Sequence, residues 1–279
     1  MNIKPYDTFL QLEKLLYDSA QTTGKRSYRR KAAFVTNTLA SLRWMRCLIL
    51  KNEFTVVVNI PSATLLLFKG DSVILESKVI VGKKSTRTPM VASFATDVTL
   101  YPYWMVPKSI ATKELLPEIK KDINYLGQNN FQVLDLNGRI VNPYAIDWQQ
   151  LSSTYFPYII RQSTGCDNSL GLIKLNINNP FNIYLHDTPA KALFESKNRF
   201  FSHGCIRVEQ AKALAHYLLE ENSIAVDTIN LNETGFNHHP IVLQLKARVP
   251  VIVTYQPAWF SKEGDITFYS DIYGKFTNY

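Results

Sequence analysis

Three reactive side chains alternate along one short stretch of the sequence: His203, Cys205 and Arg207. If this stretch is extended, alternate residues share a face, so the three side chains would lie on one surface while Ile206 and Val208 point towards a core. A cysteine thiolate is a nucleophile, and a neighbouring imidazole can take the thiol proton and later give it to a leaving amine. The pattern therefore predicts nucleophilic catalysis by a cysteine.

The glycine before the cysteine fits the same chemistry. Gly204 allows a tight backbone turn and lets a substrate approach closely. The backbone N–H groups of Gly204 and Cys205 would then face a developing oxyanion, and Arg207 could bind a substrate carboxylate through two hydrogen bonds. A structural interpretation competes, because a cysteine beside a glycine is usually a small buried hydrophobic residue and a lone histidine is usually not catalytic.

A second stretch, residues 184–189, favours the catalytic interpretation. Tyr184 and His186 alternate with apolar residues, which predicts that the imidazole emerges at the end of a strand, just before a polar turn. His186 precedes Cys205 by 19 residues, a distance that two neighbouring strands with a short helical connection can span. Cysteine and histidine also bind zinc, but the chain has no Cys-x-x-Cys or His-x-x-x-His pair, so no metal site is expected.

Helices and a β-rich body are predicted around these residues. Apolar residues recur at helical spacing over residues 7–20 and 28–46, and a further helix is predicted over Glu209–Glu221. Closely spaced β-rich runs with short turns predict an antiparallel sheet. The predicted strands are Thr55–Ile60, Thr64–Phe68, Ser72–Val81, Tyr158–Arg161, Gly171–Asn176, Asn182–His186, Phe200–Val208, Val249–Tyr255 and Ile266–Tyr269. Residues 101–160, rich in proline and aromatic residues, resemble an insertion with its own small core and a short helix over Ile110–Ile119.

Length and composition are those of a globular protein. The 279 residues are 46% apolar, with 11 glycines and 13 prolines, which excludes collagen-like and disordered chains and predicts one large or two small domains. No run approaches the roughly 18 apolar residues of a membrane span, so none is expected. Three cysteines, an odd number, leave at least one thiol free. No secretory signal is visible, because charged residues interrupt the apolar runs near the amino terminus.

The chain is basic, with 31 Lys and Arg against 23 Asp and Glu and a net charge of +8. This charge favours polyanionic partners such as nucleic acid, an anionic membrane or an anionic cell wall. The one dense basic stretch, residues 25–31, lies between two predicted helices and is interpreted as a solvated face. No nucleic-acid motif surrounds it, so nucleic acid is not an expected partner.

The two reactive stretches together resemble a known family. His186-Asp187-Thr188-Pro189, followed by Phe194, Arg199 and Ser202-His203-Gly204-Cys205-Ile206-Arg207, is similar to the motif of L,D-transpeptidases with the YkuD-type catalytic domain. Further matching segments lie upstream of this motif, at Val58–Pro61, Val79–Gly82, Thr88-Pro89 and Asn168–Gly171. The insertion, with Trp104–Ile110 and Tyr125-Leu126, resembles the capping subdomain of the large YcbB-like subclass.

The resemblance implies a mainly β fold with helices: a YkuD-type β-sandwich catalytic domain with an inserted α/β capping subdomain and an N-terminal helical segment. The expected domains are residues 1–50 for the helical segment, 51–100 with 161–279 for the catalytic domain, and 101–160 for the capping subdomain, or lid. The scaffold domain, peptidoglycan-binding module and membrane anchor that usually accompany this subclass are not visible in the sequence.

The resemblance also implies roles for individual residues. Cys205 would be the nucleophile and His186 the general base. Gly204 would help to shape the oxyanion hole, Arg207 would support the site or bind substrate, and His203 would have a secondary catalytic role. Candidate substrate-binding residues are Thr188, Trp104, Tyr125, Tyr184 and Arg207. No metal or other cofactor is expected.

The implied function is peptidoglycan L,D-transpeptidation in the periplasm or cell envelope. Cys205 would take an acyl group from a tetrapeptide stem, release D-Ala, and pass the acyl group to an acceptor amine, which forms a 3→3 cross-link. Carbapenem β-lactams would acylate the same thiol.

Two alternatives remain open. Water in place of the amine would give a carboxypeptidase or endopeptidase, including a secreted toxin that attacks a competitor's wall, and a degenerate site would leave a wall-binding module without catalysis.

Overall fold

The structure is mainly β, with helices at the amino terminus. It is a computed structural model and describes residues 5–23, 26–219 and 239–276. The helices are α1 (Pro5–Thr23), α2 (Arg26–Lys51), α3 (Lys108–Ile110), a π-helical turn (Ala111–Leu115), α4 (Leu116–Lys121), α5 (Asn124–Gln128) and α6 (Ala211–Leu219). The strands are β1 (Phe54–Asn59), β2 (Thr64–Lys69), β3 (Ser72–Gly82), β4 (Val91–Leu100), β5 (Trp104–Met105), β6 (Phe131–Leu134), β7 (Ile140–Val141), β8 (Ile159–Gln162), β9 (Ile173–Ile177), β10 (Leu185–His186), β11 (Phe200–Ser202), β12 (Ile206–Val208), β13 (Ile241–Thr254), β14 (Ala258–Phe260) and β15 (Ile266–Phe268).

Helices α1 and α2 pack together at the start of the chain. Both were predicted from apolar spacing; the prediction is confirmed, and each helix extends a few residues beyond its predicted ends. Phe9 of α1 is fully buried in the same hydrophobic cluster as Leu39 and Leu42 of α2. No helix within the described ranges is both long and apolar enough to cross a bilayer.

Within the described residues, nine strands form one sheet in the order β11-β3-β12-β10-β9-β4-β13-β1-β2, and β2 also pairs with β3, so the sheet closes on itself. Strands β1, β2 and β3 pair antiparallel, as their short turns predict. The sheet is nevertheless mixed, because β1 pairs parallel with β13, β10 with β12, and β3 with β11. The antiparallel prediction is wrong for these pairs, since parallel partners are joined by long connections that leave no local turn pattern.

Both faces of strand β1 are buried. Val56 and Val58 belong to the larger hydrophobic core, which α6 and most strands of the closed sheet share, whereas Val57 joins the cluster that contains Phe9 of α1. Strands buried on both faces carry continuous apolar runs instead of alternating ones. The helices that cover the outer face therefore explain why three consecutive valines, residues 56–58, form the middle of this strand.

A buried glutamine joins α2 to the sheet. Gln256 Oε1 accepts a hydrogen bond from Asn37 Nδ2 at 2.6 Å, and its Nε2 donates to Ser41 Oγ at 2.6 Å. The backbone N–H of Gln256 donates to Asn59 Oδ1 at 2.8 Å. Because Asn59 ends β1 and Gln256 follows β13, these bonds fix the helix against two neighbouring strands of the sheet.

The inserted segment forms a second sheet, in which β5, β8, β6 and β7 pair in that order, with a hydrophobic cluster of its own. The helix predicted over residues 110–119 is present within a longer helical run, 108–121, whose middle turn is π-helical. Strand β8 continues to Gln162, so this sheet extends past residue 160, where the predicted capping subdomain ends. The division of the chain into domains stays a prediction.

Three elements near the cysteine differ from their predicted bounds. The strand predicted over Phe200–Val208 is broken into β11 and β12 by a loop at residues 203–205, so the expected alternation of side chains does not run through it. The strand predicted over Asn182–His186 is reduced to the two residues of β10. The helix predicted over Glu209–Glu221 begins at Ala211, and its predicted end lies outside the described residues.

Candidate active site

Strands β10 and β12 bring the histidine and cysteine stretches together. They lie side by side and parallel, with His186 opposite Arg207. The backbone N–H of Ile206 donates to the Tyr184 carbonyl at 3.1 Å, which places Cys205 beside Tyr184. Neighbouring strands thus bridge the sequence separation between the two stretches, as predicted.

Cys205, His186 and Arg207 line one cavity of about 310 Å³. Five residues of the insertion line this cavity: Trp104, Pro107, Ser109, Ile110 and Glu114. The remaining lining residues come from the closed sheet and its loops: Thr86, Ser169, Leu170, Tyr184, His186, Ser202, His203, Cys205 and Arg207. Cys205 and His186 therefore line the same space, which a proton transfer between them requires.

The loop that carries the thiol, residues 203–205, is held by the serine that precedes it. Ser202 Oγ donates to the Cys205 carbonyl at 2.6 Å and accepts the N–H of Gly204 at 3.1 Å. Gly204 has a φ of +118°, a conformation that strains any residue with a β-carbon. Gly204 thus shapes the loop, but its N–H is bonded to Ser202 and does not face an oxyanion as predicted. The N–H of Cys205 is the remaining candidate donor.

A second set of hydrogen bonds supports the same loop. Thr88 Oγ1 donates to the Gly204 carbonyl at 2.9 Å and accepts the N–H of Gly82 at 2.8 Å. Tyr273, near the carboxyl end, donates its hydroxyl to the Gly82 carbonyl at 2.6 Å and accepts the N–H of Thr88 at 3.2 Å. The Val-Gly and Thr-Pro segments noted in the sequence therefore hold the loop of residues 203–205 in place.

His186 is buried, with 5% of its surface exposed. Its Nδ1 lies 2.6 Å from the carbonyl oxygen of Asp187. A carbonyl oxygen only accepts, so Nδ1 carries the proton and Nε2 keeps a lone pair. Burial, with a smaller effect of the Arg207 charge, lowers the pKa of His186 to about 3, while the hydrogen bond to the Asp187 carbonyl acts in the opposite direction. The imidazole is therefore neutral at pH 7 and able to accept a proton.

Cys205 is protonated in the resting site. Burial raises the pKa of its thiol. Hydrogen bonds from Tyr184, and the positive charges of Lys174 and Arg207, oppose that rise without cancelling it. Because the thiol and the imidazole are both uncharged at rest, transfer of the thiol proton must accompany the attack on a substrate.

Tyr184 connects the cysteine to a half-buried lysine. Lys174 Nζ lies 4.4 Å from the centre of the Tyr184 ring, and Lys174 sits opposite His186 in the antiparallel pairing of β9 with β10. The Tyr184 ring also meets the His186 ring edge-on, with the ring centres 5.6 Å apart. Burial lowers the pKa of Lys174 and raises that of Tyr184. Sequence analysis named Tyr184 as a substrate-binding candidate and missed Lys174, whose position becomes visible only once β9 and β10 are paired.

The turn after His186 is fixed by Asp187. Asp187 Oδ1 forms an ion pair with Lys191 Nζ, and Oδ2 accepts the N–H of Leu172 at 3.2 Å. Gly171, with a φ of +62°, lies so close to this carboxylate that a β-carbon there would overlap it. Asp187 thereby orients its own backbone carbonyl, which in turn holds the imidazole through Nδ1.

Two predicted substrate-binding residues lie away from the cavity. Thr188 is buried, and its hydroxyl accepts the N–H of Ala190 at 3.3 Å, so the contact stabilises the turn. Tyr125 packs on Phe131 within the insertion, with the ring centres 6.2 Å apart. Trp104, by contrast, lines the cavity. These positions favour structural roles for Thr188 and Tyr125.

His203 makes a contact that the sequence did not predict. Its Nε2 lies 2.7 Å from Oε1 of Glu114, in the π-helical turn of the insertion, and both residues line the cavity. Glu114 belongs to no local motif, and it is 89 positions from its partner in the chain. Only the placement of the insertion over the sheet brings the two together.

Comparison with known proteins identifies the family. The sequence model of the L,D-transpeptidase catalytic domain, YkuD, matches residues 53–251. The chain belongs to this family. A Haemophilus influenzae protein that is provisionally named an L,D-transpeptidase is 39% identical over 219 residues, which are 78% of this chain and 44% of that protein. The resemblance stated from the motifs is thus confirmed, and the chain spans less than half the length of this relative.

The similarity to solved structures of L,D-transpeptidases is weaker. The Mycobacterium smegmatis L,D-transpeptidase is 13% identical with a TM-score of 0.34, and the match covers 72% of this chain and 58% of that one. The catalytic domain of the Enterococcus faecium L,D-transpeptidase, acylated by ertapenem, is 11% identical with a TM-score of 0.29, over 73% of this chain and 98% of that one. The family assignment therefore rests on the sequence matches.

Proposed function

We propose that this chain catalyses L,D-transpeptidation of peptidoglycan peptide stems, with Cys205 as the nucleophile. The observation that carries the proposal is one cavity lined by Cys205, by His186 with its neutral imidazole, and by Arg207. Membership of the YkuD family supports the reaction class. The net charge of +8 suits an anionic wall polymer, and the proposed location is the periplasm or cell envelope.

In the first half-reaction, Cys205 attacks the carbonyl carbon of the third residue of a tetrapeptide stem. The thiol proton passes to Nε2 of His186 and from there to the nitrogen of the departing D-Ala, so a carbon–sulfur bond forms as a carbon–nitrogen bond breaks. The N–H of Cys205 binds the oxyanion. Arg207 binds the carboxylate of the terminal D-Ala through paired hydrogen bonds.

In the second half-reaction, an amine of a neighbouring stem attacks the thioester. A new amide bond forms, the carbon–sulfur bond breaks, and Cys205 recovers its proton. The product is a 3→3 cross-link. Water that enters instead would release a tripeptide, so exclusion of water by the lid separates cross-linking from hydrolysis.

The nucleophile can be tested by intact-mass measurement after incubation with ertapenem. We expect the wild-type chain to gain the mass of one inhibitor molecule and Cys205→Ala to gain none. The matched control is Cys166→Ala, which removes an exposed thiol outside the cavity and should leave the adduct unchanged. An adduct that persists in Cys205→Ala would overturn the assignment.

The reaction itself can be tested with purified tetrapeptide stems and mass spectrometry of the products. Dimers linked 3→3, together with free D-Ala, are the expected result. Trimmed tripeptides without any dimer would show that the site is a hydrolase and would contradict the cross-linking proposal.

A further inference from the structure

The cavity around Cys205 has one carboxylate among its described lining residues, that of Glu114. Glu114 Oε1 lies 2.7 Å from Nε2 of His203. Arg207 lines the same cavity with a positive charge, and Lys174 also acts on the sulfur electrostatically. The cavity therefore carries an anionic group on the lid, and cationic groups close to the thiol.

An amine acceptor meets a chemical obstacle in such a cavity. A primary amine is largely an ammonium at neutral pH, and an ammonium has no lone pair with which to attack a thioester. The acceptor must therefore be bound as a cation and deprotonated before the second half-reaction. The positive charges of Arg207 and Lys174 disfavour a cation beside the sulfur, whereas Glu114 favours one on the lid side.

Resting on the proposed function, we infer that Glu114 and His203 form the acceptor site: Glu114 binds the incoming primary ammonium, and Nδ1 of His203 takes its proton, because Nε2 donates to the Glu114 carboxylate. One proton moves from the ammonium to His203. The free amine then attacks the thioester carbon, its nitrogen–carbon bond forms, and the carbon–sulfur bond breaks. The second amine proton passes to the departing Cys205 sulfur through His186, and His203 returns its proton to solvent.

The surroundings of the two histidines suit this division of work. His186 is buried, and its Nδ1 is held by the Asp187 carbonyl. The side chains of His203 and Glu114 are 33% and 50% exposed, so a proton taken up there has a direct path to solvent. The acceptor can therefore be deprotonated without disturbing the histidine that serves the thiol.

The test measures the second half-reaction separately from the first, in the wild type and in Glu114→Gln. The Cys205 thioester is first formed with a tetrapeptide donor and isolated, and its decay is then followed with increasing concentrations of a tetrapeptide acceptor that carries a free side-chain ammonium. Loss of a hydrogen bond to a charged group predicts a rise in KM for this acceptor of about 10- to 100-fold. The matched control, Glu118→Gln, changes an exposed glutamate of the same helical run that pairs with Lys121 outside the cavity, and should match the wild type.

A neutral nucleophile provides the second arm. Hydroxylamine is uncharged at pH 7, so it requires neither an ammonium site nor a proton acceptor. We expect Glu114→Gln to resolve the thioester with hydroxylamine as fast as the wild type does. His203→Gln should lower kcat for the ammonium acceptor more than it raises KM, because this variant keeps Glu114 but loses the proton acceptor.

The outcomes distinguish this inference from the proposed function. If the wild type forms no thioester with the tetrapeptide, the proposed function fails. In a different outcome, the thioester forms while Glu114→Gln slows its reaction with the ammonium acceptor and with hydroxylamine equally, or leaves both rates unchanged. Either result would contradict the proposed acceptor site and leave catalysis by Cys205 standing.

Discussion

The chemistry of the site depends on how single residues are charged. Cys205 is a protonated thiol because burial raises its pKa, and His186 is a neutral base because burial lowers its pKa to about 3. A preformed thiolate–imidazolium pair would react with many electrophiles. An uncharged pair would become a nucleophile only when a bound substrate accepts the developing charge, so under the proposed function burial of these two side chains favours attack on a bound substrate.

The buried imidazole makes the stability of the fold depend on pH. In the unfolded chain a histidine titrates near pH 6.5. In the folded chain the pKa of His186 is about 3. Between these two pH values the unfolded chain therefore binds a proton at this residue and the folded chain does not. The free energy of unfolding consequently falls as the pH decreases towards 3. Between pH 7 and pH 5 the loss is about 2 kcal/mol. Urea unfolding of wild type and His186→Gln at these pH values measures it, because the variant lacks this contribution.

A second histidine serves as the control for this experiment. His216 is exposed on α6, so His216→Gln should keep the pH dependence of the wild type. If His186→Gln and the wild type lose the same stability between pH 7 and pH 5, the buried imidazole is not the source of the effect.

The residues of the site divide into those that sequence could identify and those that it could not. Cys205, His186 and Arg207 stand in two contiguous motifs, and neighbouring strands bring them into one cavity. Glu114 has no local motif, and only the position of the insertion reveals its contact with His203. Nor does the sequence show that Ser202 Oγ accepts the N–H of Gly204, so it predicts an oxyanion donor there.

At the level of elements, the two-residue strand β10 is too short to hold the imidazole by itself. The turn that follows supplies the rigidity, since Asp187 binds Leu172 from the neighbouring chain segment and pairs with Lys191. Gly171 has no side chain, and the Asp187 carboxylate occupies the space that a β-carbon at this position would fill. The orientation of the His186 imidazole thus depends on a glycine that does not line the cavity around Cys205.

Gly171→Ala tests this dependence. The new methyl group would displace the Asp187 carboxylate and strain a backbone with positive φ, so we expect a loss of about 2–4 kcal/mol in the free energy of unfolding, and slower acylation by ertapenem. Gly138→Ala is the matched control, because Gly138 also has a positive φ but has open space around its α-carbon. Equal losses in the two variants would show that the contact with Asp187 is unimportant.

The pattern of correct and incorrect element predictions has a physical basis. Helices α1 and α2 and strands β1 to β3 carry their periodicity and turns locally, so sequence locates them within a few residues. The segment from residue 200 to 208 looks continuous in sequence but is broken, because Ser202 and Thr88 bind the backbone of the intervening loop. Side-chain contacts from distant positions decide such a break, and local propensity does not contain them.

For the molecule as a whole, the hydrogen bonds of Gln256 attach α2 to the sheet. We expect Gln256→Leu to lower the free energy of unfolding by about 2–3 kcal/mol, since Asn37, Ser41 and Thr254 all lose a hydrogen bond to the Gln256 side chain. Gln150→Leu, at an exposed position of the insertion, should change it by less than about 0.5 kcal/mol. Urea unfolding compares the two, and equal effects would mean that the helix is held by its apolar contacts alone.

The hydrogen bonds of Tyr273 have a consequence for the order in which the site matures during biosynthesis. Tyr273 holds Gly82 and Thr88, and Thr88 holds the backbone beside the nucleophile. A ribosome translates residue 273 long after it has translated residues 82, 88 and 204. The nascent polypeptide therefore carries its thiol on an incompletely braced loop until this late tyrosine clears the exit tunnel, and full reactivity should arise only then.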